Sequence, residues 1–255
     1  MNLKEQLASK TPLVGTFIKS THYHNTEVLS YSDLGLLCLD AEHAPFDRSD
    51  LDTCVLAARA NNMPVVIRVP NNDPSTLLNA LDIGADGVVL PHIYNAKQLE
   101  DVVQKCFFGN EGRGYAGSTR NAAYTTSPIA NNLTHNKKST CVIAQIEDLK
   151  ALDEIDEICQ VDNVDCIFVG RMDLTVSLGT TNPKDDSVLE AVHTIVNSAH
   201  KYGKTTGMFV GDLSELPMWI EAGVSLFLLN SDHGFLLAGA KSLKSTFDNA
   251  VNANQ

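Results

Sequence analysis

Residues 38–47 read CLDAEHAPFD, so an apolar run ends in Asp40, Glu42 and His43 within four positions. Carboxylates beside an imidazole are suited to proton transfer, because histidine changes charge near neutrality and a neighbouring acid can fix its ring. Plain readings compete. His43 could simply hydrogen-bond a turn, while Asp40 and Glu42 could be solvated loop acids or cap a helix near residue 50. Other apolar runs also end in polar residues: Arg68 in VVIRVP, His92 in GVVLPH, Gln145 and Glu147 in TCVIAQIE, Arg171 and Asp173 after DCIFVG, and Asn230, Ser231 and Asp232 after VSLFLL. An arginine inside a buried strand needs an anion, either a structural carboxylate or a substrate group, because an unpaired guanidinium is costly to desolvate. Glu147 and Asp173, at the ends of successive strands, would make an oxygen-rich set for a hard divalent ion such as Mg²⁺ or Mn²⁺. One of them could instead pair with Arg171.

These residues are far apart in sequence, so the fold must gather them. Eight β-rich runs recur, at 13–18, 34–40, 64–69, 87–92, 140–147, 165–170, 205–210 and 224–230. Segments of helical period separate or follow them, at 50–61, 74–83, 95–107, 148–159, 186–202, 213–221 and 234–249. Nearly continuous apolar strands imply a parallel sheet covered on both faces, and eight of them predict a (β/α)8 barrel, with a doubly wound open sheet as the alternative. In a barrel the C-terminal strand ends converge on one rim. The 255 residues suit a single domain over 1–255. One connection, 109–138, is rich in Gly, Asn, Ser and Thr and reads as a long loop. It starts at the N-terminal face, so it must travel far or serve a neighbouring subunit. Asp82, in the helix before the fourth strand, reads from pattern alone as a helix-end acid. His22 and His24 lack a completing ligand set and read as loop residues, and GNEGRGYAG lacks a phosphate-loop pattern.

Composition narrows the partners. With 19 Lys and Arg against 31 Asp and Glu, the net charge is -12, which disfavours nucleic acid and anionic membranes. The six cysteines form no CxxC pair and several sit in apolar runs, as in a reducing compartment. With no apolar N-terminal segment and no run of about 18 apolar residues, the expectation is a cytoplasmic protein.

The segments DAEHAPFD, VIRVP, LDIGADGVVLPH, GRGYAGSTR, QIED, FVGRMDLTVSLG and SDHGFL, in order over most of the chain, resemble the HpcH/HpaI family of class II pyruvate aldolases. That resemblance implies a (β/α)8 enzyme of the phosphoenolpyruvate/pyruvate-binding type, cleaving a 4-hydroxy-2-oxo acid to pyruvate and an aldehyde with Mg²⁺, Mn²⁺ or Co²⁺. It implies that His43 is the general base and Asp82 its orienting partner, with Asp40 in that network, and that Arg68 stabilises the enolate oxygen. Glu147 and Asp173 would be metal ligands. Gln145, Gly170, Met172 and Asp173 would line the keto-acid site. A homo-oligomer, a hexamer with the last helix exchanged between subunits, is implied as well. The chain departs from the family at CFFGNEG, at GRM before Asp173 and at DLT after it. Arg171 thereby adds a charge that either selects an acidic substrate or pairs with a neighbouring acid. The competing readings are an acyl-CoA lyase of the citrate lyase β-subunit type and a catalytically silent binding or assembly protein.

Overall fold

The structure is a computed structural model, and it describes residues 1–253. The first half of the chain forms α1 (Leu3–Ala8), β1 (Leu13–Ile18), α2 (Tyr23–Ser30), β2 (Leu36–Asp40), α3 (Arg48–Ala60), β3 (Val65–Arg68), α4 (Pro74–Asp82), β4 (Gly87–Leu90), α5 (Ala96–Gln104) and α6 (Ile129–Ser139). The second half forms β5 (Cys141–Ile146), α7 (Ile155–Gln160), β6 (Cys166–Val169), α8 (Arg171–Ser177), α9 (Asp186–Lys201), β7 (Thr205–Phe209), α10 (Leu216–Glu221), β8 (Leu226–Ser231) and α11 (Asp232–Asn252). Each strand pairs in parallel with the next, and β8 returns to β1, closing the barrel that the alternation predicts.

Side chains alternate across each strand, so two apolar layers form. Leu37, Leu39, Val65, Ile67, Val142 and Ala144 face the helices. Leu36, Cys38, Val66, Val89, Ile143 and Phe168 fill the barrel, where Leu3 and Leu7 of α1 join them. The inward series has a consequence at its upper end. Counting on by two from Cys38, Val66 and Ile143 reaches Asp40, Arg68 and Gln145, and the β2–β3 register sets Asp40 directly opposite Arg68. The strand period therefore places three polar side chains in the top layer of the interior.

The last third of the expected loop is a helix, α6. Its buried positions are Asn132 and Asn136, which bond the Tyr115 hydroxyl at 2.9 Å and Thr140 Oγ1 at 2.7 Å. A helix that buries amides has no apolar period to read. The first half of the segment is fastened by Arg120, whose Nη1 lies 2.6 Å from the Ile83 carbonyl and 2.6 Å from Asp52 Oδ1. His22 caps α2, accepting from the His24 amide through Nδ1 at 3.3 Å. On α11, Leu236, Leu237, Leu243 and Phe247 remain exposed. Among the described residues, no helix is long and apolar enough to cross a membrane.

Candidate active site

At the C-terminal rim an unbroken chain of contacts links seven residues from five elements and their loops. It begins with Lys19 Nζ, 2.9 Å from Asp40 Oδ2. Asp40 is fully buried and takes Arg68 Nε at 2.9 Å and Nη2 at 2.8 Å on Oδ1. Burial alone would raise its pKa, but the Arg68 hydrogen bond and charge, with Lys19, hold it below the usual carboxylate range. Burial would likewise lower Arg68, and Asp40 more than offsets it. The guanidinium also lies 4.6 Å from the centre of the Phe17 ring, which fixes its plane from one side.

From Arg68 the chain passes to Glu42 Oε2 at 3.3 Å and on to His92, whose Nε2 is 3.2 Å from Glu42 Oε1. Burial pushes the Glu42 carboxyl upward, and the Arg68 charge works against it. His92 Nδ1 then lies 3.0 Å from Glu147 Oε1, and the His92 amide donates to the same oxygen at 2.8 Å. The backbone of His92 is left-handed, with φ 55°, a conformation that costs a non-glycine residue about 1–2 kcal/mol. Glu147 is buried and receives a short hydrogen bond from Gln145 Nε2. Gly170 packs on it so closely that a Cβ there would stand 2.6 Å from Glu147 Cβ. Only glycine fits, and the turn from β6 into α8 is thereby pinned beside the carboxylate.

The candidate residues of the sequence divide by position. Asp40, Arg68, Gln145, Glu147 and Gly170 are brought together. His43 stands at the same rim with its backbone N–H on Asp40 Oδ1 at 3.2 Å, while its imidazole is exposed and 3.9 Å from Glu42. Met172 and Asp173 lie in the first turn of α8, exposed, one short turn past Gly170. Asp82 is elsewhere. It ends α4, at the end of the barrel where strands begin, and its neighbour is Arg113, with Nε 3.9 Å from Oδ1. Within one chain it does not meet His43. Burial raises the Asp82 pKa against the Arg113 charge, and pushes Arg113 down to about 10.

Arg171 turns away from Asp173. It pairs with Glu215 through a short bond, donates twice to the Pro183 carbonyl at 2.8 and 2.6 Å, and lies 5.5 Å from the Trp219 ring. Of the two readings of this residue, pairing with an acid is the one realised. Asp232 is also structural: its carboxylate receives the amides of Lys19, Ser20 and His233, holding the start of α11 against the end of β1. A cavity of about 720 Å³ lined by Gln104, Phe107, Leu133 and Val161 opens among α5, α6 and α7, far from the rim where a parallel barrel does its chemistry.

Which residues could hold a metal is answered by donor chemistry. Glu42, His92 and Glu147 each offer an atom within 4.8 Å of the others. Buried Glu147 has no lysine or arginine partner among the described residues, and Gln145 Oε1 is buried without a hydrogen bond. Two carboxylates so close, only one of them next to a guanidinium, fit a divalent cation. Sequence reading left Glu42 and His92 outside the set. Both stand just beyond strand ends, where the sequence already marks them as polar, but nothing local shows that they meet Glu147.

The model of the HpcH/HpaI aldolase/citrate lyase family matches residues 13–234. The 5-keto-4-deoxy-D-glucarate aldolases of Shigella boydii serotype 18 and Escherichia coli O6:H1 are each 30% identical to this chain over 246 residues, covering 96% of it and 95% of the relative. An HpcH/HpaI aldolase/citrate lyase family protein from Burkholderia cenocepacia J2315 superimposes with a TM-score of 0.91 at 29% identity, over 96% of this chain and 98% of that one. Citrate synthase SbnG superimposes with a TM-score of 0.88 at 25% identity, over 98% and 99%.

Proposed function

The chain belongs to the HpcH/HpaI aldolase/citrate lyase family, and we propose that it is a metal-dependent aldolase cleaving a 4-hydroxy-2-oxo acid to pyruvate and an aldehyde. The observation that carries this reading is the unbroken rim chain from Lys19 through Asp40, Arg68, Glu42 and His92 to Glu147 and Gln145. A fixed guanidinium and a carboxylate-rich donor set at the rim where the His43 imidazole is exposed support this reading. A divalent ion held by Glu147 and Asp173 would supply Lewis-acid stabilisation of the charge that develops on the 2-oxo oxygen as the carbon–carbon bond breaks.

The chain's own residues do the rest. His43 takes the proton of the C4 hydroxyl, with its backbone held by Asp40 and its ring exposed to the incoming substrate. Arg68 spends Nε and Nη2 on Asp40, which leaves Nη1 to meet the enolate oxygen. Preorganised donors of this kind are typically worth 10²–10³ in rate, about 3–4 kcal/mol. Gln145 lines the keto-acid site, and Gly170 leaves room for it. The free amides at the start of α8, at Met172 and Asp173, suit a carboxylate. The relatives' name makes a keto-deoxy sugar acid the first substrate to test.

A hexameric assembly with its last helix exchanged is supported by the apolar side chains that α11 leaves exposed and by the buried Arg113 guanidinium beside half-buried Asp82. In such an assembly Asp82 of one copy would orient His43 of another. Six buried free thiols support a cytoplasmic location.

The test is pyruvate release from a panel of 4-hydroxy-2-oxo acids by chelator-treated protein before and after adding Mg²⁺, Mn²⁺ or Co²⁺. Activity should vanish on chelation and return with the ion, and borohydride with pyruvate should trap no adduct on Lys19. Full activity of metal-free protein, or a trapped lysine, would overturn the mechanism. The likeness to citrate synthase SbnG favours a second reading, in which the site makes a carbon–carbon bond. Citrate formed from oxaloacetate and acetyl-coenzyme A, without pyruvate release from the panel, would select it.

A further inference from the structure

The reading above uses two carboxylates and leaves one imidazole of the rim without a role. We infer that His92 is a nitrogen ligand of the divalent ion, bound through Nδ1, and that Glu42 holds it in that orientation. The inference rests on the metal-dependent reading and adds to it the ligand that sets which ions the site prefers.

Three independent features point this way. The first is distance: donors that share an ion in adjacent positions at about 2.1 Å lie about 3.0 Å from each other, and His92 Nδ1 is 3.0 Å from Glu147 Oε1. The second is the other ring nitrogen. Metal-bound histidines almost always donate their second N–H to a carboxylate or carbonyl, which fixes the tautomer and the ring; here Nε2 is 3.2 Å from Glu42 Oε1, and Glu42 is itself held by Arg68. The third is the backbone. His92 has a left-handed conformation fixed at both ends, its amide on Glu147 and its carbonyl accepting from Gln98 Nε2 at 2.9 Å, and its ring stacks beside Tyr94 with the planes 16° apart. A strained residue whose ring and amide both address one buried carboxylate is placed for a purpose that a surface turn does not have.

An imidazole among oxygen donors changes selectivity. Carboxylate and water sets suit Mg²⁺ and Mn²⁺, whereas nitrogen favours the later transition ions. The site should therefore bind Co²⁺ and Zn²⁺ well ahead of Mg²⁺, and lose part of that margin without His92. His92→Asn is the suitable variant, since asparagine tolerates the left-handed backbone.

The experiment is pulsed electron paramagnetic resonance of the Mn²⁺-loaded protein, made with natural and with ¹⁵N-labelled histidine, alongside equilibrium dialysis of Co²⁺ against Mg²⁺. The wild type should show a histidine nitrogen coupling that changes with the label and disappears in His92→Asn. The Co²⁺ preference should fall by about 10–100-fold in that variant, and by a similar or smaller factor in Glu42→Gln. Stoichiometric Mn²⁺ binding with no label-sensitive coupling, or a coupling and a preference both unchanged in His92→Asn, would overturn the role of His92 and leave the metal-dependent reading standing. Absence of metal binding by the wild type would overturn both. Should His92→Asn fail to fold, His43→Asn with the same label decides instead: a coupling that survives there is the one expected of His92, and one that disappears would overturn the role of His92.

Discussion

The two ends of the barrel each set an aspartate beside a buried arginine, and they treat the pair differently. At the C-terminal rim Asp40 and Arg68 face each other in strand register, touch at 2.8 and 2.9 Å, and extend into Lys19 and Glu42. At the other end Asp82 and Arg113 stay 3.9 Å apart. There Asp82 Oδ1 and all three Arg113 guanidinium nitrogens are buried without a hydrogen-bond partner, although the Phe108 ring lies 4.0 Å from Arg113 Cζ. Buried ions are tolerable when both geometry and hydrogen bonding are complete. The rim meets the geometric half of that condition within one chain, although Asp40 Oδ2 and Glu42 Oε2 are also buried without a hydrogen bond, and the far end meets neither half. The charges at the far end stand apart, whereas those at the rim are in contact.

The contrast breaks most severely at Arg68. Arg68→Ala strands a fully buried carboxylate and should cost about 3–5 kcal/mol of unfolding free energy in urea, with pyruvate release falling at least 10²-fold. If Arg113→Ala costs as much, the two ends are alike after all. Next in size is Glu147→Gln. It keeps the packing against Gly170, so unfolding should move by no more than about 1 kcal/mol, while the ion concentration needed for half-maximal activity rises at least tenfold; an unchanged requirement would detach Glu147 from the metal.

Asp82→Asn sharpens the comparison by separating rate from stability. Unfolding should change by less than about 1 kcal/mol, whereas turnover should fall and the acidic limb of its pH profile should move if a neighbour's His43 depends on this carboxylate. An unaltered profile in an assembled, folded variant would return Asp82 to a helix-end acid. The smallest effect is in the pH dependence of stability. Asp40 has a lowered pKa in the folded state, so its contribution is present above the ordinary carboxylate range and lost as pH falls through the lowered value. Asp82 has a raised one, so its ionisation opposes folding at neutral pH and that opposition is relieved as pH falls. Asp40→Asn should therefore flatten the acid-side loss of stability, and Asp82→Asn should steepen it slightly. Thermal unfolding from neutral pH down through the carboxylate range would show both, and slopes of one sign would refute the contrast.

How far the sequence foretells this arrangement follows from which signals are local. Strands such as LLCLD and CVIAQI are apolar at nearly every position, so the closed parallel barrel was readable, and so was the gathering of Asp40, Arg68 and Glu147 at strand ends. Helix α6 was not, because Asn132 and Asn136 occupy the positions where an apolar stripe would show. The placing of Asp173 at a strand end gave way to the first turn of α8, a helix too short to leave a period. His92 was visible as a rim residue, but its role depends on a left-handed backbone and on Glu42 lying across from it, and neither is encoded in neighbouring letters. For Arg171 the sequence leaves substrate and acid both open, since Glu215, its partner, lies 44 positions away.

That last pairing makes the protein its own optical reporter. The chain has a single tryptophan, Trp219, fully buried, with its indole N–H 3.3 Å from Glu215 and the Arg171 guanidinium 5.5 Å from its ring. Arg171 opens α8, and Asp173 sits in the same turn. Indole emission responds in wavelength and yield to the charges beside the ring. Intrinsic fluorescence therefore reads the first turn of α8 directly, and a titration with ion or keto acid can follow that turn without a label or a coupled assay.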